Sequence, residues 1–475
     1  MSSTTQLKEA PRKFLCLSKS RLNHLFCSVQ IAYTDAERII GDSVKFQIKR
    51  NMKNTIIFPM RFLGLNAGCK EQIDYEQKFT TTKVIEFDNK KLGFEVTQQG
   101  VKHTLTIEQI MAYYLTKLAR FYENADISCR DVVLSVPSYL SNVERQAMLD
   151  AAEIAGLKCL RLINESTAIA LQYGFFRKKD LDAKEERRVA FVDVGNAKTT
   201  ITIASFVQGK TKIIIHKSDR NLGGRDFDMA ILEKVGGEFA EKYGADPRKN
   251  SRCIIRMMEA IEKCRKMLSS VPDAPLNIDY LLEEEDMNTM VKRDEFEALI
   301  DPYLRRFSDL VKATLTECGL KADQIHSVEM IGDCTRTPII LDITKQLFNK
   351  TECLRTLNSL ETVARGAALQ SAMLSPLFSV ASFVVEEYNA LPVSIQYSFA
   401  DDGAKNTKEI FNRGSMFPLQ KTVTFDNKLG DMSLLIKYSD NAQILKGLPY
   451  EIAEYKVAVG KPKKQDVKGG SKVKF

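Results

Sequence analysis

Residues 188–218 leave this chain the least freedom. RRVAFVDVG, KTTITIASF and KTKIIIHKS are three runs rich in β-branched residues, joined only by NA and VQG. Strands linked by two or three residues can only lie antiparallel to one another, so a β-meander is predicted. A glycine-led helical run follows, GGRDFDMAILEKVGGEFAEKYG (223–244). A meander with a helix lying back across it commits the segment to a layered α/β lobe. Its first turn also carries chemistry. FVDVGNAKTTITIASF (191–206) places Asp193 and Gly195 between two apolar strands. Backbone N–H groups in such a turn can hold an anion, although a plain hairpin between core strands looks the same. Asn196 and Ala197 follow, where a tight phosphate turn favours glycine. Asn tolerates a positive φ, and Ala is strained by one.

The same alternation occurs upstream. LTIEQIMAYYLTKLARFYENA (105–125) has helical spacing, and DVVLSVP (131–137) is a short buried strand. SNVERQAMLDAAEIAG (141–156) opens on Ser141, carries Glu144 three residues later and stops at Gly156, the punctuation of a capped helix. LKCLRLI (157–163) is the next strand, and NESTAIALQYG (164–174) is the helix after it. Downstream, helices are predicted at 252–269, 293–317, 335–348 and 360–374, with a strand at 327–332. Two starting points for a sheet argue for two α/β lobes. After Ser375 the pattern changes to short alternating strands, LPVSIQYSF, KTVTF, MSLLIKY and AEYKVAV, which read as an all-β module. The joint at 375–388 is too apolar for a free linker and is expected to dock against something.

Composition narrows the function. No apolar run reaches the ~18 residues that span a bilayer, and the first residues lack the apolar core of a secretory signal. Ten cysteines are scattered singly, without C-x-x-C pairs or zinc spacing, as expected of reduced thiols in a cytosolic protein. The net charge of +8 gathers partly at 460–475. It forms no basic stripe with interleaved aromatics, so neither a nucleic-acid nor a membrane partner is expected.

Several long motifs then occur in a telling order: AYTDAERIIGDSVKFQIKRNMKNT (32–55), SVPSYLSNVERQAMLDAAEIAGLKCLRLINESTAIALQYG (135–174), LGGRDFD (222–228) and GDCTRTP (332–338). From about Val29 onward the chain resembles the DnaK-like superfamily of seventy-kilodalton heat-shock chaperones. LGGRDFD and VDVGNA look most like its larger, one-hundred-and-ten-kilodalton branch, which serves as nucleotide exchange factor and holding chaperone. The resemblance implies an α/β, actin-like, two-lobed ATPase domain at 29–374, with lobe II from about 188. It also implies a linker at 375–388 and a partial antiparallel β-sandwich for substrate at 389–475. Residues 1–28 do not match, so the family's opening G-x-D-x-G-T-T hairpin has no counterpart. A strand edge of lobe I is therefore expected to lie unpaired.

The resemblance also assigns residues. Asp193 would lie beside the phosphate–magnesium cluster, reaching the metal through water, with Gly195, Asn196, Gly223 and Gly224 near the phosphates. Glu262, Arg265, Lys266 and Ser269 share a helix face and would hold the ribose and cover the purine. Gly332 matches half of a Gly-Gly pair whose other half is Asp333, and Arg336 would stack on the base. Leu360 replaces a purine-side aspartate. Lys198 is expected to offset Asp333 across the facing turn. Glu165 matches the glutamate that orders the magnesium water shell. The lysine that positions the attacking water falls at Met60, and Thr200 stands in place of a further acid. ATP or ADP with magnesium is thus expected to bind weakly, and hydrolysis to be weak or lost. The expected partners are a DnaK-like nucleotide-binding domain and unfolded polypeptides, in the cytoplasm and also the nucleus. Two alternatives stand beside this reading: an active ATP-hydrolysing chaperone, and a non-binding remnant.

Overall fold

A computed structural model describes residues 30–123, 130–376, 383–399, 404–426, 431–458 and 472–474. Residues 1–29 with Cys16 and Cys27, Cys129 and nearly all of the basic tail lie outside the described residues. The chain forms two α/β lobes followed by a β-module, the actin-like ATPase fold and sandwich that the resemblance implies.

Lobe II is built on the meander. Arg187–Val194, Thr199–Val207 and Lys210–Asp219 pair antiparallel, with Val194 opposite Thr199 at the first turn. Ser327–Ile331 joins parallel to the outer side of Arg187–Val194. The middle strand Thr199–Val207 is buried along almost its whole length, on both faces of the sheet. The helices Gly224–Tyr243, Ser251–Leu268 and Asp301–Cys318 contribute to the same core, through Phe227, Ile231, Met257, Ile261, Phe307 and Val311. Lobe I has a separate core around Phe62, Phe94, Ile110 and Met148. In it Ser141 and Glu144 form the expected capping box, Glu144 accepting from the Ser141 N–H at 2.8 Å. The parallel pair Asp131–Val136 and Lys158–Asn164 forms its own two-stranded sheet, so Asp131–Val136 has an unpaired side among the described residues.

Two expectations need correction, and one hairpin was not anticipated. The helix predicted over 293–317 breaks at Ile300 into Arg293–Leu299 and Asp301–Cys318. Pro302 causes the break: it fits a helix's first turn, whereas in mid-helix its ring would clash with the carbonyl four residues back. Asp273–Leu282 and Glu285–Lys292 form a hairpin that the pattern did not reveal, because the acidic run 283–286 masks its turn. The described part of the expected linker is a strand: Val384–Tyr388 pairs parallel with Lys210–Lys212, extending the lobe II sheet.

The β-module's sheet runs Asn406–Phe411, Val393–Phe399, Met432–Tyr438, Glu451–Val457. It has a small core of Phe399, Ile410, Met432 and Leu434. It touches lobe I directly, where the Asn142 N–H donates to Tyr438 Oη at 2.7 Å. A Cβ on Gly447 would lie 2.2 Å from the Gly68 carbonyl oxygen, so only glycine admits that approach. Among the described residues no helix is long and apolar enough to cross a membrane.

Candidate nucleotide-binding site

The hairpin turn closes on itself before it can meet a ligand. The Gly195 N–H donates to the Lys198 carbonyl at 2.9 Å. The Gly195 and Asn196 carbonyls in turn accept from the N–H groups of Gly224 and Arg225, at 3.0 and 2.8 Å. The turn is thus docked on the N-terminus of the helix Gly224–Tyr243. Gly223 and Gly224, expected near the phosphates, lie beneath the turn and do not line the cavity. Their role is clearance: a Cβ on Gly223 would sit 2.5 Å from the Asn196 oxygen, and one on Gly224 2.4 Å from Cys334 Sγ. Neither Asn196 nor Ala197 adopts a positive φ, so the expected strain at Ala197 does not arise.

Between the lobes lies a cavity of about 840 Å³. Asp193, Gly195, Asn196, Glu262, Arg265, Lys266, Ser269, Gly332 and Arg336 line it from lobe II, and Gln30, Lys45 and Phe58 from lobe I. No sequence signal marked the lobe I residues, because each belongs to an otherwise ordinary strand, helix or loop. Phe58 has a φ of 55°, unusual for an aromatic residue and in keeping with a side chain held at a site. On the helix Ser251–Leu268, Glu262 and Lys266 pair at 2.6 Å on the exposed face. Arg265 is buried and is gripped by Asp228, through Nε at 2.5 Å and Nη2 at 3.1 Å. Ser269 Oγ donates to the Lys266 carbonyl at 2.6 Å. Opposite, Gly332 has φ 78° and ψ 139° and presses against Val194. Arg336 is two-thirds exposed, 3.7 Å from Asp333.

Asp193, Gly195 and Asn196 also line a second cavity of about 330 Å³, with Met60, Arg61, Tyr139, Glu165 and Lys198. Lys198 Nζ contacts Glu165 Oε2 and lies 3.5 Å from Asp193 Oδ2. Lys198 thus serves these two acids, and Asp333 is met by Arg336 instead, contrary to the expected compensation. Burial works against the Lys198 charge, but Glu165 and then Asp193 outweigh it and hold the ammonium above its usual range. Burial pushes the Asp193 carboxyl up, against the pull of Lys198. Met60 packs on the lobe I core, and Thr200 Oγ1 is 2.9 Å from Ser218 Oγ within the sheet. A divalent cation does not fit these contacts. The ammonium occupies the space between the carboxylates, and at ~4 Å each pair of like unit charges would repel by about 4 kcal/mol in an effective dielectric of ~20. Among the described residues no group of three or more His, Cys, Asp or Glu side chains is arranged to hold a metal.

Behind the site the lobes are locked together. Glu76 accepts from Arg61 Nη2 at 2.6 Å and from Arg225 Nη1 and Nη2 at 2.7 and 2.8 Å. Arg61 also donates to the Arg220 carbonyl and to Asn221 Oδ1, and the Arg225 guanidinium stacks 4.0 Å from the Phe79 ring centroid. Tyr75 donates to Asp226, which caps the Gly223 N–H.

Two buried groups give opposite pH dependences. Burial raises the Asp226 carboxyl to about 6, against the pull of Tyr75 and Arg225. Between about pH 4 and 6 the native state keeps a proton that the unfolded chain releases, so this group's contribution falls as pH rises. His216, beneath Val384–Tyr388, is pushed down to about 4 by burial and then by Arg145 and Arg413, against a hydrogen bond with Tyr388. Between about pH 4 and 6.5 the unfolded chain takes up a proton that the native state refuses, so its contribution is lost as pH falls. His216→Phe, which keeps the ring against Tyr388, should therefore gain on the wild type on acidification. Denaturant titrations at pH 7.5 and 4.5 are expected to show the difference shifting by about 2–3 kcal/mol in favour of the variant; a constant difference contradicts it.

A family model described as Hsp70 protein matches residues 17–473. The chain is 35% identical over 417 residues to the 97 kDa heat shock protein of Strongylocentrotus purpuratus, covering 86% of this chain and 46% of that one. It is 34% identical over 443 residues to a heat shock protein homolog of Saccharomyces cerevisiae, covering 92% and 63%. Over 430 residues it is 35% identical to heat shock 70 kDa protein 14 of Arabidopsis thaliana, covering 86% and 50%. The chain thus spans about half the length of the curated relatives it matches.

Proposed function

The chain belongs to the Hsp70 family, near its larger branch of heat-shock chaperones and nucleotide exchange factors, and from that membership we propose that it is a nucleotide-binding co-chaperone that holds nucleotide without turning it over. In this reading it promotes nucleotide release from a DnaK-like partner and holds unfolded clients, in the cytoplasm and nucleus. The observation that carries it is the joining of the adenosine-side and phosphate-side residues on one cavity between the lobes. Its volume falls in the range of small-molecule sites. Glu262 and Ser269 offer an acceptor and a hydroxyl to a ribose, Arg336 a planar cation to a purine face, and Gly332 a close backbone approach to phosphate.

Members of the family bind ATP and ADP with magnesium, and here the equipment for cleavage is thinner than that for holding. Phosphoryl transfer depends on positioning and charge neutralisation. Met60 can neither donate a proton nor carry charge, and absence of such a group costs about 10²–10⁴ in rate. Glu165 is engaged by Lys198 and is not free to orient water. A DnaK-like chaperone loaded with fluorescent ADP should release it several-fold faster in the presence of this protein. No acceleration at equimolar amounts contradicts the exchange role.

A further inference from the structure

The phosphate end of the cleft already contains a cation. Lys198 is the last residue of the hairpin turn, and two backbone features hold it there: the Gly195 N–H bonded to its carbonyl, and the pairing of Val194 with Thr199. Its side chain is one-fifth exposed and points between Glu165 and Asp193, themselves mostly buried. Those acids are the ones that the family resemblance assigns to the magnesium water shell. The neighbouring cation, Arg61, is committed elsewhere, to Glu76, Tyr139, Asn221 and the Arg220 carbonyl. Asp193, Gly195 and Asn196 line both cavities, so a nucleotide seated on the adenosine side would extend its phosphates towards Lys198.

We infer that Lys198 is the resident cation of this site, its ammonium bridging Asp193 and Glu165 in place of a divalent metal, so that ADP is bound without magnesium. One lysine then does two jobs. It neutralises carboxylates that would otherwise repel phosphate, and it offers remaining N–H donors to a phosphate oxygen. The arrangement also accounts for a site that holds nucleotide and does not cleave it. An ammonium stabilises charge but does not bring the water shell through which a metal positions a nucleophile.

This inference rests on the nucleotide-binding reading above, and the test separates the two. Calorimetric titration of ADP into the wild type, once in EDTA and once in excess magnesium, is expected to show no gain in affinity beyond about threefold from magnesium, and a weaker apparent affinity where magnesium sequesters the free ADP. Lys198→Met, similar in length and uncharged, should weaken ADP at least about tenfold in EDTA, the loss of one charge-assisted hydrogen bond, and should recover affinity when magnesium is added. Mn²⁺ with ADP should show enhanced water-proton relaxation on the variant and none on the wild type. A wild type whose ADP affinity rises by more than about threefold with magnesium, or which itself enhances Mn²⁺ relaxation, overturns the inference and leaves nucleotide binding standing. The wild-type arms decide this even where the variant does not fold. No ADP binding by the wild type in either buffer overturns both readings.

Discussion

Glu76→Gln is expected to lower the thermal unfolding midpoint by about 4–7 degrees, from a loss of about 3–5 kcal/mol. Glu76 is 1% exposed and is the shared counter-ion of two arginines from different lobes, Arg61 and Arg225, which are 8% and 2% exposed. Burial opposes its charge, but the hydrogen bonds and charges of Arg225 and Arg61 outweigh it and hold the carboxyl below its ordinary value. The amide keeps the shape and removes the charge, leaving two guanidinium groups buried without neutralisation. A buried pair contributes modestly when whole and is costly when broken. The double variant Glu76→Gln with Arg225→Met should therefore recover part of the loss, because it buries one fewer uncompensated cation. Because a depressed carboxyl contributes only while ionised, the wild-type advantage should shrink as pH falls through its folded pKa. A midpoint within about one degree of wild type, under roughly 1 kcal/mol, would show that the lobes do not depend on this network.

Gly332→Ala should abolish measurable ADP binding and cost about 2–6 kcal/mol in stability. Two terms contribute. A φ of 78° with ψ of 139° is backbone that an L side chain rarely adopts, worth about 1–3 kcal/mol. The added Cβ would also sit 2.3 Å from the Val194 carbonyl oxygen and 2.8 Å from Asp193 Oδ1, an overpacking of about 1–3 kcal/mol. The closest collision is with backbone, so no side-chain rotation relieves it. Relief requires that Asp333–Arg336 move away from the strand Arg187–Val194, which shifts Arg336 relative to Asp193 in the lobe II wall of the cavity. ADP affinity equal to wild type by calorimetry would mean that Gly332 does not border the bound nucleotide.

What was legible in the sequence was local. The capping box of Ser141 and Glu144 spans three residues, and the meander at 188–218 needs only turns of two or three, so near neighbours decide both. Glu262, Arg265, Lys266 and Ser269 were singled out by the family resemblance, and one helix and its end set the spacing that brings them to the same cavity. The hairpin at 273–292 was not, because residues 280, 283 and 284 turn with positive φ without a glycine to mark it. The lobe lock was not legible either: Arg225 and Glu76 lie 149 residues apart.

The sequence alone determined the family motifs, the alternation that demands two α/β lobes, and the uncharged methionine at position 60, where the resemblance leads one to expect a lysine. Only the tertiary structure decided where the charges go. Lys198 could have faced Asp333 or Glu165 from the same turn, and Arg225 could have been an exposed helix residue. A charge takes the partner that comes within reach once both have left water, since desolvation makes an unpaired ion costly. That partner is chosen by how the lobes pack, which no short stretch of sequence contains.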